Sequence, residues 1–345
     1  MVYIDGIIYS LQKSGGVSVC FTELMHQMEN EQFEYQLHLF EPPDDGRIPK
    51  TLFSKAVNHH PRLLERYRNC ITSTENTIFH SSYYRLPDRK VKAVVTTVHD
   101  FTYERFVQGP RKWVHSYQKR KAVKQADAII CVSENTRNDL LYYFSEIDES
   151  RIFVIHNGVS DDFMRLPDNG LQENLFVLFV GQRGGYKNFC LLVNALILCK
   201  SLNLVCVGGG DFTDDEVQLL ETKLPGRYRH AGSVTNAVLN RLYNEAVCLA
   251  YPSLYEGFGL PVIEAMKAGC PVVAMAKSSI PEIAGSAAIL IDESTPEALA
   301  QAIFTISGYE KNQREALIME GLKQASGFSW KKNAASIMSL YQKLL

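Results

Sequence analysis

The sequence predicts an α/β protein built from two doubly wound parallel-sheet domains of similar size. Three observations carry that expectation. Short apolar runs alternate with longer helix-like stretches, the pattern of parallel strands joined by crossover helices. The alternation stops over 161–174, a polar stretch holding Pro167, Asn169 and Gly170 without periodicity, and then restarts. The length, 345 residues, is that of about two domains at roughly 150 residues each. The expected division is a first domain over 1–160, a linker over 161–174, a second domain over 175–328 and a terminal helix over 329–345.

Element by element, 2–9 reads as a strand, Gly15-Gly16 as a turn and 17–29 as a helix. Strands follow at 35–40, 77–80, 93–98, 128–132 and 151–155, with helices at 110–125 and 135–143. In the second half, strands are expected at 175–180, 204–207, 248–251, 272–274 and 289–291. Helices fit 189–200, 238–245, 261–268 and 296–306, and 330–345 reads as a last amphipathic helix with no strand after it. Ligands of open α/β sheets bind outside the carboxyl ends of the strands, so two such domains point to a cleft between them.

Composition narrows the function. Apolar residues make up 46% and charged residues 21%, which excludes disordered, collagen-like and coiled-coil chains. The 36 basic and 38 acidic residues leave a net charge of −2, not the basic footprint of a nucleic-acid binder. No apolar run approaches the ~18 residues of a membrane-spanning helix. The start, Met1-Val2-Tyr3-Ile4-Asp5-Gly6, lacks the basic flank of a signal peptide. Eight cysteines without a C-x-x-C pair read as free core thiols in a reducing compartment, so a cytoplasmic location is expected.

The residues that carry chemistry fall in loops after strands. The segment Ser253-Leu254-Tyr255-Glu256-Gly257-Phe258-Gly259-Leu260-Pro261-Val262-Ile263-Glu264 joins a strand to a helix. Gly257 and Gly259 let the backbone turn and approach a ligand. Pro261 suits the first helical position, and the free N–H groups there form an anion site. Glu256 precedes the helix and Glu264 is expected in its first turn. On one straight helix eight residues would separate them by ~12 Å. That exceeds the ~5–9.5 Å of a glycosidase pair, so a turn must bring both to one ligand, each accepting bonds from hydroxyls.

A second segment, Val180-Gly181-Gln182-Arg183-Gly184-Gly185-Tyr186-Lys187-Asn188, sets two cations around a Gly-Gly turn. Both are expected to swing to one point and neutralise a leaving diphosphate. Gly15 and Gly16 offer backbone amides to a phosphate, though a plain turn fits them equally. His99-Asp100 closes the strand at 93–98. Val207-Gly208-Gly209-Gly210-Asp211 is not a dinucleotide fingerprint, because Thr213 stands at the third glycine; close backbone approach and a flexible turn both fit. G-K-[ST] and D-x-D are both absent, so neither P-loop chemistry nor a metal-anchored sugar-nucleotide site is expected.

Together these motifs resemble glycosyltransferase family 4. Glu256–Glu264 looks like its E-x7-E motif, and Arg183 and Lys187 resemble its diphosphate-binding pair. Gly232-Ser233-Val234, Tyr251-Pro252-Ser253 and Ala268-Gly269-Cys270-Pro271-Val272 match its second domain. The Gly15-Gly16 loop, Val98-His99-Asp100, Val132-Ser133-Glu134 and His156-Asn157-Gly158-Val159 match its first. Gln182 stands where many members carry the arginine. The resemblance implies a GT-B fold and a retaining, metal-independent enzyme that takes a nucleotide-diphosphate sugar. By it, Glu264 holds the ribose hydroxyls and Glu256 contacts the donor sugar. Gly257, Phe258, Gly259 and Leu260 lie by the distal phosphate, backbone around Val234 meets the base, and His99 helps to orient donor and acceptor.

The form is similar to bacterial transferases that add mannose or a deoxyhexose in O-antigen and related polysaccharides. A glycan or a lipid-linked glycan is then the acceptor. A sugar-nucleotide epimerase or hydrolase of the same fold, and a non-catalytic nucleotide-sugar-binding protein, are the competing readings. Arg105 to Lys124 holds seven basic residues and no acidic one. Trp113, Tyr117, Arg120 and Lys124 recur at helical spacing and share a face. Arg111, Lys112, Trp113, Lys119 and Lys121 are therefore expected to meet an acceptor or an anionic membrane, with peripheral attachment at the inner face of the cell membrane. The competing reading packs Trp113 in the core.

Overall fold

The computed structural model describes residues 1–12, 15–40, 52, 55–72, 76–167 and 174–345. The chain forms two compact units, Met1–Gly158 with Ser329–Leu345, and Val159–Phe328. Each carries one parallel sheet.

The first unit runs β1 (Val2–Asp5), α1 (Ile8–Leu11), α2 (Gly16–Asn30), β2 (Tyr35–Leu39), β3 (Ala56–Asn58), β4 (Ile78–Ser81), β5 (Ala93–Val98), α3 (Thr102–Phe106), α4 (Pro110–Gln125), β6 (Ala128–Cys131), α5 (Glu134–Tyr143) and β7 (Ile152–Val154). Its seven strands pair in the order β3-β2-β1-β4-β5-β6-β7. β1, β4, β5 and β6 are buried along their whole length, as strands covered by helices on both faces must be. The strand expected over 2–9 ends at Asp5. There the Asp5 carboxylate accepts the Ile7 N–H at 3.2 Å and Gly6 N–H donates to His38 O, which turns the chain into α1.

The second unit runs β8 (Phe176–Val180), α6 (Phe189–Leu198), β9 (Asn203–Val207), α7 (Asp214–Lys223), β10 (Tyr228–His230), α8 (Asn236–Glu245), β11 (Cys248–Tyr251), α9 (Leu260–Lys267), β12 (Val272–Met275), α10 (Ile280–Ala284), β13 (Ile289–Ile291), α11 (Pro296–Ser307) and α12 (Lys311–Ala325). Its sheet order is β10-β9-β8-β11-β12-β13. Phe179, Phe189, Leu192, Leu204, Val273 and Ile303 fill the core between sheet and helices.

α13 (Trp330–Leu344) belongs to the first unit. Ile337, Met338, Leu340 and Tyr341 pack with Val2, Ile4 and Met25 in its core, and Tyr341 hydrogen-bonds His80. Gly158 explains its place in the His156-Asn157-Gly158 motif: a Cβ there would sit 2.1 Å from Trp330 N. Asn333 Nδ2 donates to His156 O at 2.7 Å and closes the same junction.

Of the expected linker, 168–173 lie outside the described residues. The stretch before it is not free chain. Asp161 pairs with Lys267 at 2.5 Å, Arg165 forks onto Glu315 at 2.7 Å, and Leu166 N–H donates to Asn244. All three partners lie in the second unit.

Candidate functional site

In the second unit, the candidate side chains collect at the carboxyl ends of β8, β9, β11 and β12. β11 ends at Tyr251, and the chain passes through Ser253 to Glu256. Glu256 N–H donates to Ser278 Oγ at 2.8 Å, and Ser279 Oγ donates to Glu256 O at 3.0 Å and to Phe258 O at 2.9 Å. The loop after β12 therefore braces the loop after β11. Gly259, the residue before α9, has φ +99°, and a Cβ there would meet Ile280 Cδ1 at 2.7 Å. Glycine is required on both counts. Phe258 is buried against the Phe328 ring.

Lys187 Nζ donates to Glu256 Oε1 at 2.7 Å, and its ammonium lies over the Tyr251 and Tyr186 rings. Burial works against that charge; Glu256 and the two tyrosines outweigh it and hold the ammonium above its ordinary pKa. Lys187 is thus a fixed cation beside the helix start, where the α9 amides add positive potential. Glu264 lies in the second turn of α9, not the first as expected, because the helix begins at Leu260. Its carboxylate accepts the Tyr243 hydroxyl at 3.1 Å. Burial raises its pKa to about 7 and the Tyr243 bond only partly opposes this. Val234 is half-buried between Gly232, with φ +71°, and Thr235, which caps α8.

Arg183 corrects an expectation. It does not swing toward Lys187. Its side chain is buried, with Nη1 on Gly208 O at 2.9 Å and Nη2 on Gly210 O at 2.9 Å and Asp211 O at 2.8 Å. Nε pairs with Glu216 at 3.1 Å, and the guanidinium rests on the Phe212 ring.

In the first unit, His99 follows β5. Burial lowers its pKa to about 4, so the ring is neutral at physiological pH. Its Nε2 is buried without a hydrogen-bond partner and faces a small cavity lined by Cys20, His80, Thr97, Asn157 and Asn333. Gly15 and Gly16 open α2, Gly15 as its N-cap with extended backbone and Gly16 as its first residue.

α4 has its expected bounds, and its exposed face is not the expected one. Lys119 is removed from it: fully buried, it donates to Asp100 O at 2.8 Å and Glu104 Oε2 at 2.7 Å under the Phe101 ring. Trp113 is 77% exposed and Tyr117 69%, so Trp113 is no core residue. Arg120 and Lys124 share Glu146. Arg111, Lys112 and Lys121 make no ion pair among the described residues. Gln118 donates to Arg66 O at 3.3 Å, which ties α4 to the 62–67 segment, where Leu63, Leu64 and Tyr67 are exposed.

Sequence reasoning missed Tyr243, Glu216, Ser278 and Ser279, and read Tyr251 only as part of a matching motif. Ser278 and Ser279 carried a readable signal, since they lie in the loop that follows a strand. Among the described residues no three of His, Cys, Asp and Glu gather as ligands for one metal ion, and no helix is long and apolar enough to cross a membrane.

Comparison with known proteins defines the class. Residues 14–163 match the family model described as Glycosyltransferase Family 4, and 174–307 that described as Glycosyl transferases group 1. The O-antigen chain mannosyltransferase B of Escherichia coli is 29% identical over 327 residues, 84% of this chain and 85% of its own. Sucrose-phosphate synthase from Thermosynechococcus elongatus superposes with a TM-score of 0.79 at 18% identity, over 99% of this chain and 98% of that one. Anabaena HepE in complex with UDP-glucose gives 0.74 at 18% identity, over 98% and 99%. The fold, two parallel sheets of seven and six strands with helices, is GT-B. The protein is therefore a glycosyltransferase. Through the matches in both of its units, it belongs to glycosyltransferase family 4.

Proposed function

We propose that this glycosyltransferase is a retaining hexosyltransferase. It moves a mannose-like hexose or a deoxyhexose from a nucleotide-diphosphate sugar to a glycan or lipid-linked glycan, without a metal. The observation that carries the reading is the Lys187–Glu256 pair, held at 2.7 Å beside the glycine-lined start of α9. Lys187 and the amides of Gly257 to Leu260 take the diphosphate as its bond to the sugar breaks, supplying the positive charge that a metal supplies elsewhere. Glu256, drawn off Lys187 by the diphosphate, accepts hydroxyls of the transferring sugar. Glu264 takes the ribose hydroxyls, and backbone at Val234 meets the base. Neutral His99 orients donor and acceptor. The likeness to a mannosyltransferase supports the hexose assignment. The enzyme works in the cytoplasm, attached at the inner face of the membrane through Trp113, Tyr117, Arg111, Lys112 and Lys121.

The test is nucleotide release from a panel of GDP- and UDP-sugars, with and without a lipid-linked glycan, followed by NMR of the anomeric linkage. Release that needs acceptor, survives EDTA and gives the donor's anomeric configuration is expected. Glu256→Gln should lower turnover roughly 10²–10³-fold, the range for one lost transition-state stabiliser. Full-rate release without acceptor would mark a hydrolase or epimerase. Binding without release would mark a non-catalytic sugar-nucleotide protein.

A further inference from the structure

We infer that Arg183 is a positioning residue: it reaches the donor through the Gly208–Gly210 loop that it holds, and is not itself a ligand of the diphosphate. The inference rests on the nucleotide-sugar reading above.

The loop is unusual before Arg183 is considered. Gly208, Gly209 and Gly210 have φ of +74°, +76° and +73°, three successive residues in the left-handed region. No side-chain-bearing residue adopts such a run without strain. The loop lies against the end of β8. Gly181 N–H donates to Val207 O and Gly208 N–H to Gly232 O, both at 2.9 Å, so the carboxyl ends of β8, β9 and β10 are stitched together through glycines. A Cβ at Gly209 would meet Gly181 O at 2.6 Å. On the other side, an added Cβ at Gly181, Gly184, Gly185, Gly210 or Gly232 would meet nothing within 4 Å. One side is close-packed and the other is bare backbone at the ligand-binding end of the sheet.

A run of left-handed residues turns successive carbonyls the same way, and these need partners. Arg183 supplies them. Its two terminal nitrogens bond the carbonyls of Gly208, Gly210 and Asp211 at 2.8–2.9 Å, with Gly209 O at 3.4 Å. Glu216 balances the charge at Nε, and the Phe212 ring covers one face of the guanidinium. Both terminal nitrogens are thus engaged inside the protein, and Nε lies in ion-pair range of Glu216 without a hydrogen bond. Direct binding of a diphosphate would require taking the guanidinium away from three carbonyls and from Glu216 at once, which a single new ion pair has to offset. With its carbonyls drawn inward, the loop turns the amides of Gly209 and Gly210, which have no partner among the described residues, toward acceptor atoms of the nucleotide.

Two residues that do not reach the donor distinguish this from direct contact. Glu216→Gln keeps the acceptor that caps Thr213 N–H and removes the negative charge that faces Arg183. Phe212→Leu removes the ring. Both, with Arg183→Lys, should raise donor KM about tenfold and leave kcat within about threefold, because ground and transition states lose the same contact. Arg183→Lys combined with Glu216→Gln should be no worse than Arg183→Lys alone, since both act through one loop. Lys187→Ala, by contrast, should lower kcat. Hydrogen exchange at the Gly208 and Gly181 amides should speed up in Arg183→Lys, a readout that needs no substrate. Wild-type donor KM in Glu216→Gln and Phe212→Leu, together with a kcat loss in Arg183→Lys and unchanged exchange, would overturn the inference. If no nucleotide sugar binds the wild type while exchange at the two glycines still responds, the functional reading has failed and the clamp has not.

Discussion

At the scale of single residues, the candidate site depends on carboxylates in unlike surroundings. Glu256 is committed to a lysine, whereas Glu264 has only a tyrosine hydroxyl and is pushed by burial from its ordinary 4.5 to about 7. In the ligand-free protein Glu264 is therefore about half protonated near neutrality. An ionised carboxylate is the stronger acceptor for ribose hydroxyls. Donor kcat/KM should accordingly rise from pH 6 to pH 8, and Glu264→Gln should flatten that limb; a limb unchanged in the variant would remove Glu264 from the ribose. The same shift has a stability consequence of opposite sign. A carboxyl whose folded pKa is raised stabilises the fold fully below its unfolded value, and that contribution is lost as pH rises through about 7. Chemical denaturation of the ligand-free protein should thus show Glu264→Gln relatively more stable at pH 8 than at pH 5. Glu264 is singled out by the glycine-rich junction of strand and helix. Its environment is not legible there, because Tyr243 lies 21 positions away and only packing brings it near.

At the scale of elements, α4 shows what periodicity can and cannot place. Its bounds and the shared face of Trp113 and Tyr117 follow from helical spacing, and both rings are exposed. Spacing gave no warning of Lys119, because its partners, Asp100 O and Glu104, come from the segment leading into and through α3. Burial opposes the charge on Glu104, and His115, Lys119 and Ser116 overcome it, taking the carboxyl down to about 2. Lys119→Met should therefore cost roughly 3 kcal/mol at pH 7, the low end for a broken buried pair, since His115 and Ser116 remain. The pair's contribution should be complete above pH 4.5 and fade as pH falls toward 2, where the wild type and the variant converge in urea denaturation. The remaining face makes a second expectation. Trp113 and Tyr117 with Arg111, Lys112 and Lys121 suit an anionic bilayer, each cation contributing ~1 kcal/mol that salt screens. Pelleting with anionic vesicles at low salt, lost at high salt and in Trp113→Ser with Tyr117→Ser, is the expected outcome; equal, negligible pelleting with anionic and neutral vesicles would remove the surface. The elements that sequence reading missed have different causes. β3 and β10 are three-residue strands at sheet edges, too short and too polar for an apolar run. α12 has weak amphipathicity and its start is marked only by the Glu310–Gln313 capping box, while α7 carried a readable signal in Thr213–Glu216.

At the scale of the whole molecule, the chain leaves the first unit after Gly158 and returns at Ser329, so the second unit is an insertion between two parts of one sheet-and-helix core. The return is not decorative. Ile337, Met338, Leu340 and Tyr341 are all buried among side chains of β1, β2 and α2, and Tyr341 bonds His80, itself driven down to about pKa 3 by burial. At roughly 1.5–3 kcal/mol for each buried side chain, four of them contribute on the order of 6–12 kcal/mol. A whole domain is stable by only ~5–15 kcal/mol, so losing α13 removes a contribution as large as the stability itself. The second unit has its own sheet and its own core cluster, with no strand from elsewhere among the described residues. A chain ended after Phe328 should therefore retain a folded 159–328 and lose the first unit. The expected signature is one calorimetric transition in place of two, protease digestion that stops at a fragment close to 159–328, and nucleotide-diphosphate binding by that fragment without transfer. Supplying α13 as a separate peptide should restore the second transition, because its apolar face has no other place to be buried. A truncated chain that keeps both transitions would mean that the terminal helix covers the first unit without holding it together.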